Sequence, residues 1–173
     1  MIYVLIAAAV FLLDLTVKGL VDKKRELGEE TPILQGRIIL RKYYNEGIVF
    51  DRLQRWPRLV KLLCGVMMIL LCGMWATALR RRDNRGLKLG LSLVIGGGAS
   101  NLWDRLTKNH VVDYFSIRSR FPRIRRIIFN ISDWFIFLGS ICMLLFQRDT
   151  DGFPVKRGKE SKRAKKEAKK EVP

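Results

Sequence analysis

The sequence predicts a membrane all-α bundle of four transmembrane helices that carries a small β-containing extramembrane element. Three observations lead there. Apolar residues gather in four blocks of roughly the ~20 residues that a bilayer-spanning helix needs. Lysine and arginine crowd the gaps between the blocks. One gap holds a run of strand-forming residues. The 173-residue chain has a formal net charge of +17. In a soluble protein that charge would point to nucleic acid. Beside span-length apolar blocks it points to an anionic membrane surface, and membrane lipids rather than nucleic acid are the expected partners.

The first span covers about residues 1–21. Its first thirteen residues are apolar, and Asp14 and Lys18 then interrupt the run. A cleaved signal peptide fits it poorly, because a basic n-region is missing and Ala7-Ala8-Ala9 lies in mid-run. A retained span is expected. Residues 22–57 are polar and mixed. Gly28, Pro32 and Gly36 break helix, and RIILRKYY at 37–44 favours a strand that ends near Asn45-Glu46-Gly47. The second span, about 60–79, holds Lys61 as its single charge and ends in Arg80-Arg81-Arg82. The third runs from about 87 to 103 and the fourth from about 127 to 146, with Asn130, Ser132 and Asp133 in its first two turns. Residues 1–147 thus form the four-span unit. The lysine-rich tail at 148–173 has almost no apolar content, so disorder or surface binding is expected there. Cys64, Cys72 and Cys142 all lie in apolar runs without a CxxC pair, which suits packing residues rather than a disulfide or zinc framework.

Four spans put both termini on one side. Loop 80–88 and the tail together carry 15 Lys and Arg, against 16 in the opposite loops 22–58 and 105–126. The raw count does not orient the chain. Density does: five basic residues in the nine of loop 80–88, and the basic tail, place both termini in the cytoplasm.

Two aspartates at the edges of apolar segments, Asp113 in HVVDYF and Asp133 in FNISDW, are the candidate chemical groups. A carboxylate at a helix centre in lipid costs on the order of 2–3 kcal/mol, so two of them suggest function. Two carboxyls held close together cannot both ionise easily. Their proton affinities separate, and one then activates water while the other protonates the substrate. Each polar group also has an ordinary explanation. Asp133 stands at a helix start, where capping is routine. Asp14 and Lys18, four apart on one helix face, form a helix-end ion pair or else help position a buried site. Asp104-Arg105 reads as a local ion pair at the membrane edge. Gly96-Gly97-Gly98-Ala99-Ser100 suits close helix packing, and no Walker lysine follows to make it a phosphate loop. His110 and Asp113 have H-x-x-D spacing, but too few other ligands accompany them for a metal site. Trp56, Trp75, Trp103 and Trp134 fall near predicted span ends, as in an aromatic belt.

The ordered set of motifs resembles the signal peptidase II, or lipoprotein signal peptidase, family over about residues 10–146. Asp14 and Lys18 match its D-x-x-x-K, and Asn45, Gly47 and Phe50 its N-x-G-x-x-F. GGGASNLWDRL and HVVDYF match its glycine-rich block, Asn, Asp-Arg and V-V-D-F, and FNISDW its F-N-x-A-D. The resemblance implies four transmembrane helices with an extracytoplasmic β-cradle and a second small extracytoplasmic element, in the bacterial cytoplasmic membrane. It implies a catalytic dyad of Asp113 and Asp133, with Asn45, Asn101, Arg105 and Asn130 lining the site and Asp14 and Lys18 supporting it. The implied substrate is a diacylglyceryl-modified prolipoprotein, cut just before its lipidated cysteine. No metal or cofactor is implied, and globomycin is the implied inhibitor. Ser100, Asn109 and Ser132 stand where the family usually has Gly, Gly and Ala, and Asp51 where a small residue is common. Ser132 is expected to hydrogen-bond Asp133 and lower its proton affinity. Two other classes compete: an ion-coupled carrier, for which the inverted repeats are missing, and a non-catalytic adaptor whose basic tail holds anionic lipid.

Overall fold

The computed structural model describes residues 1–47, 55–81, 84–125 and 127–146. Phe50, Asp51 and the tail at 148–173 lie outside the described residues. Five helices and four strands follow in the order α1 (Ile2–Lys24), β1 (Glu30–Ile33), β2 (Ile38–Asn45), α2 (Pro57–Arg80), α3 (Arg85–Lys108), β3 (Val111–Ile117), α4 (Pro122–Arg125), β4 (Ile128–Phe129) and α5 (Ile131–Phe146). The protein is therefore mostly helical with a small antiparallel sheet, ordered β1-β2-β3-β4. The expected strand at 37–44 is β2. The fourth apolar block is the exception to its expected form. Ile128 and Phe129 pair with Ser116 and Phe115 of β3, so the helix begins only at Ile131. The apolar Ile127, Ile128 and Phe129 conceal that change, because both a strand and a buried helix accept such residues.

Helix α3 occupies the middle and packs against α1, α2 and α5. Its start is fixed by Asn84, whose side chain accepts from the Leu87 N–H at 2.9 Å and donates to the Phe146 carbonyl at 2.7 Å, tying the start of α3 to the end of α5. Its end is set by Asn109 in the left-handed region at φ 68°, a conformation that asparagine tolerates nearly as well as the glycine of an ordinary C-cap. The glycine block works by close approach, as its packing reading anticipated. A Cβ on Gly96 would stand 2.6 Å from the Ala7 carbonyl oxygen of α1, and one on Gly97 2.8 Å from that of Ser132 in α5. Gly90 and Gly139 bring α3 and α5 together further along.

Helices α1 and α2 are long and apolar enough to cross a membrane, whereas α5 has sixteen residues. Leu62, Met67, Ile69 and Leu70 of α2, with Leu144 and Leu145 of α5, turn outward and are exposed. An apolar surface of that extent needs a nonpolar partner such as lipid. Trp56, Trp103 and Trp134 are exposed at the sheet end of the bundle. Trp75 instead donates to the Ser92 hydroxyl at 3.2 Å and serves α2–α3 packing, not a belt.

The sheet sits at the end where α1 and α3 finish and α5 begins. Lys42 of β2 donates to the carbonyls of Asp22 and Arg25 at 2.7 and 3.2 Å, and pairs with the Asp22 carboxylate at 3.0 Å. A cation thus caps the C-terminus of α1, where the helix dipole favours it. Val112 and Tyr114 of β3 join Val21 in the core beneath the sheet.

These contacts give a paired expectation. Gly139→Ala forces its methyl against the Gly90 carbonyl and should destabilise by about 1–3 kcal/mol, the usual cost of overpacking. Gly73→Ala in α2, with open space around it, should be neutral or stabilising by up to about 1 kcal/mol through helix propensity. Thermal midpoints of the two variants in one detergent decide it; equal midpoints would count against the close-approach account.

Candidate active site

Helix α5 opens on a reciprocal cap. The Asn130 side-chain oxygen accepts from the Asp133 N–H at 3.1 Å, and the Asp133 carboxylate accepts from the Asn130 N–H at 3.0 Å. This is a capping box with aspartate in the third helical position. Capping is only half of what Asp133 does. Its other carboxylate oxygen accepts from the Asn101 amide at 3.1 Å, which carries it away from the helix end and towards α3.

Asp113 enters from the sheet. It lies opposite Tyr43 in the β2–β3 ladder, which makes Asn45 a diagonal neighbour on the same face. Asn45 donates to Asp113 Oδ2 at 3.0 Å and accepts from the Gly47 N–H at 3.1 Å, a local turn that fixes its amide. Asn130 donates to Asp113 Oδ1 at 2.7 Å. One asparagine side chain therefore touches both aspartates, Asp113 through Nδ2 and Asp133 through Oδ1.

Donors without a choice set the direction of every amide. Lys18 Nζ has only protons to offer, and it donates to Asn101 Oδ1 at 2.6 Å. The Asn101 NH₂ is thereby left for Asp133. The Asp133 backbone N–H likewise claims Asn130 Oδ1, leaving that NH₂ for Asp113 and for Asn101 Oδ1 at 3.1 Å. All three asparagines donate into the aspartate pair.

Beneath the pair lies Asp14, fully buried on α1. Its Oδ2 meets Lys18 Nζ at 2.8 Å, the Ser100 hydroxyl at 2.6 Å and the Ser132 hydroxyl at 2.5 Å. Its Oδ1 accepts from the Ser132 N–H at 3.1 Å and the Tyr114 hydroxyl at 3.3 Å. Tyr114 in turn accepts from the Ile131 N–H at 3.1 Å. Burial and the Asp14 charge push the Tyr114 hydroxyl above its ordinary range, so it stays a donor. The Ser132 hydroxyl thus serves Asp14, not Asp133 as the sequence suggested. On a helix adjacent residues point about 100° apart, and Ser132 faces α1 while Asp133 faces α3.

Asp104 and Arg105 do not form the expected local pair. Asp104 lies 3.5 Å from Lys18 and 3.2 Å from Lys108, and accepts from the Val112 N–H at 3.3 Å. Arg105 donates to the carbonyls of Gly47 and Asn101 at 2.8 and 3.3 Å. Its guanidinium holds the end of the β2 turn against α3, at the margin of the network. His110 lies apart, its ring on Tyr44 with centroids 3.9 Å apart. The roles of Ser100, Asp104 and Tyr114 escaped the sequence reading. Ser100 and Asp104 are four apart on α3, the same spacing that marked Asp14 and Lys18.

Burial, joined by the charge of Asp133, raises the Asp113 carboxyl from an ordinary 3.8 to about 7. The folded chain then keeps a proton that the unfolded chain releases between those values. Stability from this group is present at low pH and is lost as pH rises through about 7. Asp113→Asn has no such proton to lose. Relative to the variant, the native chain should lose on the order of 3–4 kcal/mol between about pH 4 and pH 8. Unfolding midpoints of both proteins across that range measure it, and parallel curves would sink the assignment.

Comparison with known proteins spans most of the chain. A family model described as signal peptidase (SPase) II matches residues 6–147. The chain is 34% identical over 145 residues to a lipoprotein signal peptidase of Shouchella clausii, covering 82% of this chain and 89% of that one. With one from Brevibacillus brevis it shares 33% over 147 residues, 83% and 92% of the two chains. A solved bacterial membrane enzyme superposes with a TM-score of 0.73 at 21% identity over 91% of this chain and 94% of its own, a likeness of fold. By sequence match over most of its length, the chain belongs to the signal peptidase II family.

Proposed function

We propose that this protein is an intramembrane aspartic endopeptidase that removes the signal peptide from diacylglyceryl-modified prolipoproteins, cutting just before the lipidated cysteine. Family membership supports the reaction, since the relatives are named lipoprotein signal peptidases. One observation carries the aspartic mechanism: the Asn130 side chain joins the buried Asp113 to the half-buried Asp133, donating to the Asp113 carboxyl and accepting from the Asp133 backbone N–H.

Asp133 takes the role of the resident carboxylate. It sits at the N-terminal end of α5, where backbone N–H groups and the helix dipole favour negative charge. Asp113, raised to about 7, holds a proton near neutrality. A water between them loses a proton to Asp133 as its oxygen attacks the scissile carbonyl, and Asp113 protonates the carbonyl oxygen. Collapse of the resulting diol returns a proton to Asp113, and the proton held by Asp133 passes to the leaving nitrogen. The dyad is restored, without a metal or cofactor in any step. Asn45, Asn101 and Asn130 hold the carboxyls in place, and Arg105 anchors the turn that borders them.

In this reading α1, α2, α3 and α5 all cross the cytoplasmic membrane. The sheet lies on the extracytoplasmic side as a cradle for the peptide, and both termini and the basic 148–173 tail lie in the cytoplasm. Membrane lipids surround the bundle, and globomycin should compete at the dyad.

Purified protein should cleave a diacylglyceryl-modified prolipoprotein peptide before its lipidated cysteine. Asp113→Asn and Asp133→Asn should each reduce kcat by at least about 10³-fold, as expected for loss of an acid or base from a coupled pair. The rate should decline above about pH 7 as Asp113 loses its proton. Cleavage that persists in either variant would remove the dyad from the mechanism.

A further inference from the structure

Two serines flank the dyad's supporting carboxylate, and their geometry gives them a specific task. Ser100 and Ser132 come from different helices, α3 and α5, and both are fully buried. Their hydroxyls meet on one atom, Asp14 Oδ2, at 2.6 and 2.5 Å. That oxygen also lies 2.8 Å from Lys18 Nζ, and Lys18 is closer still, at 2.6 Å, to Asn101 Oδ1. The ammonium is thus divided between a full negative charge and a neutral amide, and the amide contact is the shorter one.

Coulomb attraction alone would draw Lys18 towards Asp14, since an anion outcompetes a carbonyl dipole for a buried cation. Two hydroxyl dipoles directed at Asp14 Oδ2 spread its charge and reduce that pull. Ser100 does more, because its Oγ also lies 3.3 Å from Lys18 Nζ and bridges the two ions. We infer that Ser100 and Ser132 are positioning residues: by satisfying Asp14 they let Lys18 hold the Asn101 carbonyl, which aims the Asn101 amide N–H at Asp133. Without them Lys18 settles on Asp14, and Asn101 is free to turn its oxygen towards a carboxylate. Such a turn sets two acceptors face to face and withdraws a donor from the dyad.

This inference deepens the proposed peptidase reading, and its test separates the two. The charged and titratable groups around the dyad are Asp14 and Lys18 from α1, Tyr43 from β2 and Tyr114 from β3, with Asp104 and Arg105 of α3 one contact further out, on Lys18 and on the Asn101 carbonyl. Loss of the hydroxyls leaves more of the Asp14 charge unscreened and moves Lys18 off Asn101. Both changes favour the protonated dyad.

The experiment uses Ser100→Ala, Ser132→Ala and the double variant of the full chain in detergent micelles. The readout is the pH titration of the infrared carboxyl band that Asp113→Asn abolishes. In the double variant its midpoint should move to higher pH, with each single variant between. Wherever the native chain cleaves prolipoprotein peptide, kcat should fall about tenfold with KM unchanged, the effect of one weakened orienting bond. A midpoint that stays in place while the thermal midpoint drops overturns the inference and leaves the serines as packing donors. A double variant that fails to fold is replaced by the singles, read the same way. A shifted midpoint in a chain that cleaves no prolipoprotein refutes the peptidase reading and leaves the positioning role intact.

Discussion

Everything near the candidate site is referred to one buried carboxylate, Asp14. Ionised and out of contact with solvent, it would cost far more than a neutral group unless its oxygens were fully satisfied. It receives Lys18 from its own helix, Ser100 from α3, Tyr114 from β3, and both the hydroxyl and the N–H of Ser132 from α5. Because these donors come from four elements, the requirement to satisfy a single charge sets where the elements meet. The first turn of α5 is held by three bonds: two from Ser132 to Asp14, and one from the Ile131 N–H to Tyr114. Asp133 is the next residue. Its position follows from that constraint together with its own bonds to Asn130 and Asn101.

The upper layer inherits that order. Lys18 passes it to Asn101, Asn101 to Asp133, and the α5 cap to Asn130 and so to Asp113. A chain of this kind has a direction, because it begins at a group that can only donate. Backbone packing makes it possible. The amides reach one another only since Gly96 and Gly97 let α3 approach α1 and α5 to distances that a single methyl would forbid. Glycine in mid-helix has a cost of about 1 kcal/mol relative to alanine, and here it is offset by the contacts that the approach permits.

Much of this was legible in the sequence, for reasons that differ by residue. The helices at 2–24 and 57–80 declare themselves through span-length apolar runs. Strand β2 shows in its β-branched and aromatic content. Asp14, Lys18, Asn45, Asn101, Asp113, Asn130 and Asp133, singled out in the sequence, do fall into one hydrogen-bonded network. Among the described residues, Arg105 joins it through backbone carbonyls. What the sequence hides is direction. Ser132 adjoins Asp133 and was assigned to it, yet a helix sends neighbours to different sides, and the partner of Ser132 lies 118 positions away. Asp104 and Arg105 are misread for the same reason. Strand β4 hides because Ile128 and Phe129 continue the apolar run of α5, and only pairing with β3 distinguishes them. Asn109 looks like a departure from glycine until its φ of 68° shows that it meets the same backbone demand.

The aspartate pair combines a strand residue with a helix residue, and that choice has chemical content. Two carboxyls in a wholly apolar pocket would both hold protons, and two in water would both lose them. Asp113 is 2% exposed, on a strand with buried residues on both faces, and it rises to about 7. Asp133 is placed in the first turn of α5, where a backbone N–H and the helix dipole offset part of the cost of burying a charge. Identical side chains are thereby set in different surroundings by the elements that carry them. In the proposed peptidase reading an acid and a base draw on that difference, and a pair taken from two equivalent strands or two equivalent helix starts would have to obtain it from elsewhere.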